Sequence, residues 1–160
     1  LATLPPVARD PRQPPLTLPF AAPRLRCVTA RGEFVIALDG TLAPNTAATL
    51  LALARQGFYR DLAFHRVVPD FVIQGGDPRG DGSGGPGWTL RSELSRAPFE
   101  RGTVGIADSG RDTGGSQFFV CHSAQPHLNG RYTVVGRVVK GMHVVDAIQP
   151  GDTFRLEVAP

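Results

Sequence analysis

The sequence predicts a mainly β fold: an antiparallel barrel, closed or nearly so, capped by two α-helices. Fifteen prolines and nineteen glycines in 160 residues cut the apolar residues, 41% of the total, into short runs that suit strands better than long helices. Several of these runs alternate apolar and polar positions and end in glycine, proline or Asn-Gly turns, the pattern of half-buried strands. A 3.6-residue period appears in two segments only, and the strand–helix–strand rhythm of a parallel sheet is missing. A chain of this length builds one domain with a substantial core.

Residues 1–23, LATLPPVARDPRQPPLTLPFAAP, hold seven prolines and no apolar period. Proline fixes φ and removes a backbone donor, so this segment resists helix and central strand alike and is expected to be an extended linker or N-terminal arm. A proline-rich ligand for a partner is the alternative. The compact domain then covers residues 24–160. Its first strand is expected at 25–30, and EFVIALDG follows, with Phe34, Ile36 and Leu38 alternating against Glu33, Ala37 and Asp39. In APNTAATLLALARQGFY, Ala47, Leu50, Leu51 and Ala54 fall at i, i+3, i+4 and i+7, behind Asn45 as N-cap and before Gly57 as stop, which predicts one amphipathic helix. Further strands are expected at 62–68, 71–74, 103–107, 117–122, 133–139 and 153–159. A short second helix is expected in GMHVVDAIQ, where Val144, Val145 and Ile148 share a face and Pro150 ends it.

The formal charge of +3 is local. Arg9, Arg12, Arg24 and Arg26 against Asp10 account for all of it, and the remaining thirteen basic and thirteen acidic residues cancel. The body of the chain lacks the basic stripe and aromatic platforms that nucleic acid needs, so no nucleic-acid partner is expected. No apolar run reaches the ~20 residues of a membrane-spanning helix. The start has neither methionine nor a signal-peptide pattern; a monomeric domain is expected, as a processed product or part of a longer chain, in the cytoplasm or periplasm. Cys27 and Cys121 sit in separate strand-like runs and read as buried free thiols. His65, His122, His127 and His143 do not fall at metal-ligand spacing, so no metal is expected. The glycine-rich run 75–87 lacks the G-x-x-x-x-G-K-[ST] pattern and precedes no helix, which makes it a flexible surface loop rather than a phosphate cradle. Ser116, in GGSQ, is not on a strand-to-helix nucleophile elbow.

FHRVVPDFVIQGGD, residues 64–77, raises a sharper question, because Arg66 puts a permanent charge in a run that could have been a clean apolar strand. Alternation places Arg66 on the face of Phe64 and Val68, opposite Ala63, His65 and Val67. GGSQFFVCH at 114–122 is a second strand with a polar group, Gln117, on the face of Phe119, and PHLNGRY at 126–132 supplies a third apolar and aromatic set. These stretches, with GIADSGRDTGGSQFFV, HLNGRYTVVGRVVKGMHVVDAI, APNTAATLLAL and GSGGPGWT, closely resemble the cyclophilin family of peptidyl-prolyl cis-trans isomerases from about Gly32 to Ile148.

The resemblance implies an eight-stranded antiparallel cyclophilin-like β-barrel capped by two α-helices. It also implies isomerisation of X-Pro bonds in proline-containing peptides and unfolded proteins, with no cofactor. Residue by residue it implies Arg66 as the catalytic arginine, Gln74 as its brace, and a proline pocket of Phe71, Val72, Phe119 and Leu128. Gln117 would contact substrate backbone, Ala107 and Asp108 would present main-chain groups to the peptide, and His127 and Tyr132 would complete the rim. His127 stands where many eukaryotic members have tryptophan and Tyr132 where many have histidine, a pattern similar to bacterial members. Asp108 replaces a common asparagine, and Val72 a frequent, larger methionine.

The chemistry explains why such a site wants an arginine. An X-Pro bond resists rotation by ~18–20 kcal/mol because the nitrogen lone pair is delocalised into the carbonyl. In the twisted transition state that lone pair is localised and accepts a hydrogen bond that the planar ground state cannot accept as well. A guanidinium, always protonated and presenting rigid donors, therefore binds the transition state differentially. The same groove kept only for binding proline segments, with little turnover, is the alternative function.

Overall fold

The computed structural model describes residues 22–160; the expected arm at 1–23 lies, apart from Ala22 and Pro23, outside the described residues. Nine strands form one sheet: β1 Arg24–Thr29, β2 Gly32–Leu38, β3 Leu62–Ala63, β4 Arg66–Val68, β5 Val72–Gly75, β6 Thr103–Ile106, β7 Phe118–Cys121, β8 Val134–Lys140 and β9 Thr153–Val158. Their order is β3-β9-β1-β2-β8-β6-β7-β5-β4, and these pairings are antiparallel. Two register shifts opposite β8, at Val35/Ile36 and Val104/Gly105, are bulges of the kind that increase local twist and coil a long strand.

The expected barrel of eight strands, closed or nearly so, is corrected in strand number and in closure. The run 62–68 is two short strands: β3 pairs with β9 and β4 with β5, and these two are the ends of the sheet. Between them Phe64 donates its N–H to the Asp152 carbonyl and accepts from the N–H of Gly151. The result is an open half-barrel whose two edges lie on one stretch of chain. The split also overturns the expected pairing of faces. Phe64 is fully buried, stacked on Phe154 and edge-on to Phe118, while Arg66 is exposed. Strict alternation fails here because strand geometry is interrupted at residues 64 and 65.

The interior is filled by inward residues such as Leu25, Cys27, Phe34, Ile36, Ile73, Phe118 and Val120, together with Leu50 and Leu51 of helix α1, Pro44–Arg55. Helix α1 packs against β8 and β9, and α2, Met142–Ala147, against β2. The expected N-cap of α1 is corrected too: the cap position is Ala43, which offers no side-chain bond, and Pro44 opens the helix, where its missing N–H costs nothing. The free donors are met from far away. Glu93 Oε2 accepts the N–H of Asn45 at 3.2 Å, and its Oε1 accepts the N–H of Thr46 at 2.7 Å and that residue's hydroxyl at 2.6 Å. The carboxylate also suits the positive end of the helix dipole. The expected stop holds, with Gly57 at φ +72°. Its N–H reaches Ala54 and that of Phe58 reaches Leu53, which together form a Schellman cap. Among the described residues no helix is long and apolar enough to cross a membrane.

Candidate active site

Four neighbouring strands each contribute one residue to a single row across the outer face of the sheet. Arg66 on β4 pairs with Gln74 on β5, Gln74 with Phe119 on β7, and Phe119 with Gly105 on β6. The adjacent row, Val67, Ile73, Val120 and Val104, points inward, as the two-residue period of strands requires. The next outward row is Val68, Val72 and Cys121.

A second apolar cluster grows on this outer face: Val72, Phe99, Phe119, Cys121, Leu128 and Val134. Gly105 makes room for it. A Cβ there would lie 2.4 Å from Phe119 Cζ and 2.7 Å from Phe99 Cε1, so the bare backbone lets these two rings stack with centroids 5.5 Å apart. Leu128 arrives on a single 3-10 turn, Pro126–Leu128. The neighbouring Asn129 Oδ1 accepts the N–H of Phe99 at 2.8 Å, and Gln125 Nε2 donates to the Asp70 carbonyl at 2.9 Å. Tyr132 meets Phe119 edge-on at 5.9 Å, and His127 stacks on Phe71 at 5.6 Å.

These walls surround a cavity of about 150 Å³ lined by Arg66, Phe71, Val72, Gln74, Ala107, Asp108, Phe119, Leu128 and Tyr132. The structure thus brings nine of the eleven expected site residues around one hole. The other two stand beside it. His127 backs Phe71, and Gln117 lines an adjoining cavity of about 540 Å³, bonded to two residues of the smaller one, Gln74 through its side chain and Ala107 through its backbone carbonyl. A larger cavity of about 690 Å³ opens between Pro23, Leu42, Ala97 and Arg137; it holds none of these residues.

Arg66 lies with its guanidinium carbon 5.6 Å from the centroid of the Phe71 ring, a cation–π distance. Its Nη1 stands 3.5 Å from Gln74 Oε1, at the long limit of a hydrogen bond, and it forms no ion pair among the described residues. Behind it runs a relay. Gln74 Nε2 donates to Gln117 Oε1 at 3.0 Å, and Gln117 Nε2 donates to the carbonyls of Gly82 and Gly84, both at 2.9 Å.

The glycine loop that supplies those carbonyls is organised by Asp77, whose side chain is buried. Its carboxylate accepts the N–H groups of Arg79 at 2.7 Å, Asp81 at 3.1 Å and Gly82 at 2.6 Å. Burial raises its pKa, but the surrounding backbone donors prevail and hold it below the usual carboxylate range. Ser116 is buried with its hydroxyl donating to the Gly76 carbonyl at 2.7 Å, a structural bond. Cys27 and Cys121 are free and buried, and burial pushes both thiols up, that of Cys121 to about 12.

Sequence reasoning missed Asp77, Phe99 and Gly105. Asp77 had a local signal, an acid closing Gln-Gly-Gly at the mouth of a glycine-rich loop, where aspartate commonly caps backbone donors. Phe99 and Gly105 had none, since their roles arise from cross-strand and loop packing.

The cyclophilin type peptidyl-prolyl cis-trans isomerase/CLD family model matches residues 24–159. The chain is 49% identical over 115 residues to peptidyl-prolyl cis-trans isomerase B of Bacillus subtilis, covering 71% of this chain and 80% of that one. It is 44% identical over 128 residues to a peptidyl-prolyl cis-trans isomerase of Helicobacter pylori, covering 78% of each. Among solved structures, a cyclophilin type isomerase of Cryptosporidium parvum superposes with a TM-score of 0.81 at 28% identity, covering 88% of this chain and 99% of that one. The same protein in the presence of the dipeptide Ala-Pro gives 0.78 at 27%, with 86% and 99% covered. With an arginine beside a small cavity walled in part by Phe71, Val72, Phe119 and Leu128, and a match along almost all of residues 24–160, this chain belongs to the cyclophilin-type peptidyl-prolyl cis-trans isomerases.

Proposed function

We propose that this isomerase seats the substrate proline ring in the 150 Å³ cavity, against Phe71, Val72, Phe119 and Leu128, and that Arg66 donates to the proline nitrogen as the X-Pro bond twists. The observation that carries this reading is the row Arg66, Gln74, Phe119, Gly105, which sets a guanidinium with no ion-pair partner among the described residues beside the apolar wall of the cavity. The ring is held while the acyl side rotates. Partial exclusion of water strengthens the arginine's bond to the nitrogen at the moment its lone pair localises.

Gln74 braces the arginine and is itself braced by Gln117, whose Oε1 keeps a second acceptor position for a substrate backbone N–H. Ala107 and Asp108 form the wall past which the peptide runs, with His127 and Tyr132 at the rim. No covalent bond, metal or proton transfer enters this scheme. The substrates are proline-containing peptides and unfolded chains, and the domain that acts on them is residues 24–160, with 1–23 as a linker or arm.

Two-dimensional NMR exchange on an Ala-Pro peptide tests the arginine's role. Arg66→Ala, at matched folded concentration, is expected to lose roughly 10²-fold in kcat/KM, since removing one preorganised donor commonly costs about 2.7–4 kcal/mol. Exchange within about threefold of the parent would remove Arg66 from the transition state.

A further inference from the structure

The cavity of about 540 Å³ shares Gln74, Ala107 and Asp108 with the proline cavity. Its remaining walls are Ser109, the glycine loop from Gly82 to Thr89 and the segment from Thr113 to Gln117, which carry glycines, small hydroxyl side chains, Pro86, Trp88 and Gln117. Asp108 is the one charged side chain among its lining residues. That carboxylate is half-buried, accepts the N–H of Gly110 at 3.1 Å, and forms no ion pair among the described residues.

Three arginines are near enough to share a cavity with it and none neutralises it. Arg66 lines the proline cavity, and Arg111 and Arg131 border another cavity that Asp108 also lines. Burial holds the Asp108 carboxyl above its ordinary value, as expected where lost hydration is not offset by a neighbouring cation. A peptide whose proline fills the smaller cavity runs over the shared wall, and the side chain of a residue flanking the proline then hangs in the larger one. A cation on that side chain would supply what Asp108 lacks.

We infer that Asp108 makes the larger cavity a subsite for a basic side chain, so that this isomerase favours clients with lysine or arginine within two residues of the reacting proline. The inference rests on the smaller cavity being the proline site.

The test is a set of short peptides with lysine at each of the two positions before and the two after a single proline. Each is paired with its acetyl-lysine counterpart, which keeps the length and loses the charge, and all are compared by two-dimensional exchange at low salt. At one position at least, lysine is expected to exceed acetyl-lysine by about 3- to 10-fold in kcat/KM, carried mainly by KM. That ratio shrinks towards one as salt rises. In Asp108→Asn the ratio falls to about one, whatever rate the variant retains on the uncharged peptide. Equal rates at all four positions in the parent, or a lysine preference that survives Asp108→Asn, would overturn the inference. Failure of the proline-site reading looks different, since Arg66→Ala and Phe119→Ala would then exchange every peptide at the parent's rate. In that event the ratio of dissociation constants for the lysine and acetyl-lysine peptides, read by NMR titration, decides whether the basic subsite exists.

Discussion

Strands β5 and β7 have two apolar faces with different purposes. Inward, Ile73 and Val120 join Phe118, whose ring sits edge-on to Tyr59, Phe64 and Phe154. Outward, Val72, Phe119 and Cys121 join Phe99 and Leu128, yet this face keeps a hole. The inner face is closed from all sides by the curved sheet and α1, so its rings interlock at the density of an organic crystal. The outer face is covered from one side only, by the loop bearing Phe99 and the turn bearing Leu128, and its far side is left to Arg66. A filled core and a face that keeps a cavity are thus built from consecutive residues, and the difference is made by what covers them. Residues buried on both faces also explain why Phe118–Cys121 reads as a continuous apolar run and not as an alternation.

Replacing the two adjacent phenylalanines should separate the faces most sharply. Phe118→Ala is expected to cost about 3–5 kcal/mol of stability, because a fully enclosed ring leaves a cavity that the sheet cannot collapse into. Phe119→Ala should cost clearly less stability while lowering kcat/KM more than any stability change explains. Urea unfolding and peptide exchange on both variants measure this, and equal stability losses would break the comparison.

Gly105→Ala probes the outer face from beneath. Its Cβ would collide with the stacked rings of Phe119 and Phe99, so about 1–3 kcal/mol of overpacking cost is expected, together with loss of exchange activity as Phe119 is pushed into the cavity. A variant with parent-like activity would show that the pocket floor adapts freely.

The smallest effect concerns the polar backing of the outer row. Asp77→Asn removes the charge that gathers the glycine loop and, through Gln117 and Gln74, reaches Arg66. A loss of about 1 kcal/mol is expected at neutral pH, with a modest fall in kcat and little change in KM. Because the folded-state pKa of Asp77 is depressed, its contribution is complete above the unfolded carboxylate value of ~3.9 and disappears as pH falls through the lower folded value. Melting temperatures of parent and variant should therefore converge only in that acidic window. Convergence already at pH 6 would show that the carboxylate does not hold the loop.

Much of this molecule could be read locally. Each expected strand except 62–68 is present within a residue or two, and both helices form where the 3.6-residue period and glycine or proline stops put them. The corrections arise where two distant segments meet. Residues 62–68 form two strands because β9 claims one half and β5 the other, and α1 is capped by Glu93, which lies 47 residues from Thr46.

The site divides in the same way. Motifs marked the residues that now surround the small cavity, but the row that aligns Arg66, Gln74, Phe119 and Gly105 exists only once four strands are in register. Asp77 carried a local signal, but the relay from the loop through Gln117 to Gln74 exists only once the loop folds back on Gln117. By itself the sequence determined the period of each element, its stops, and which residue types were at hand for an isomerase, because those depend on neighbours a few bonds away. Only the tertiary structure decided where the sheet opens, which apolar face stays hollow, and which cavities Asp108 borders. Those depend on which distant surfaces compete for the same edge, and on the water they exclude in doing so.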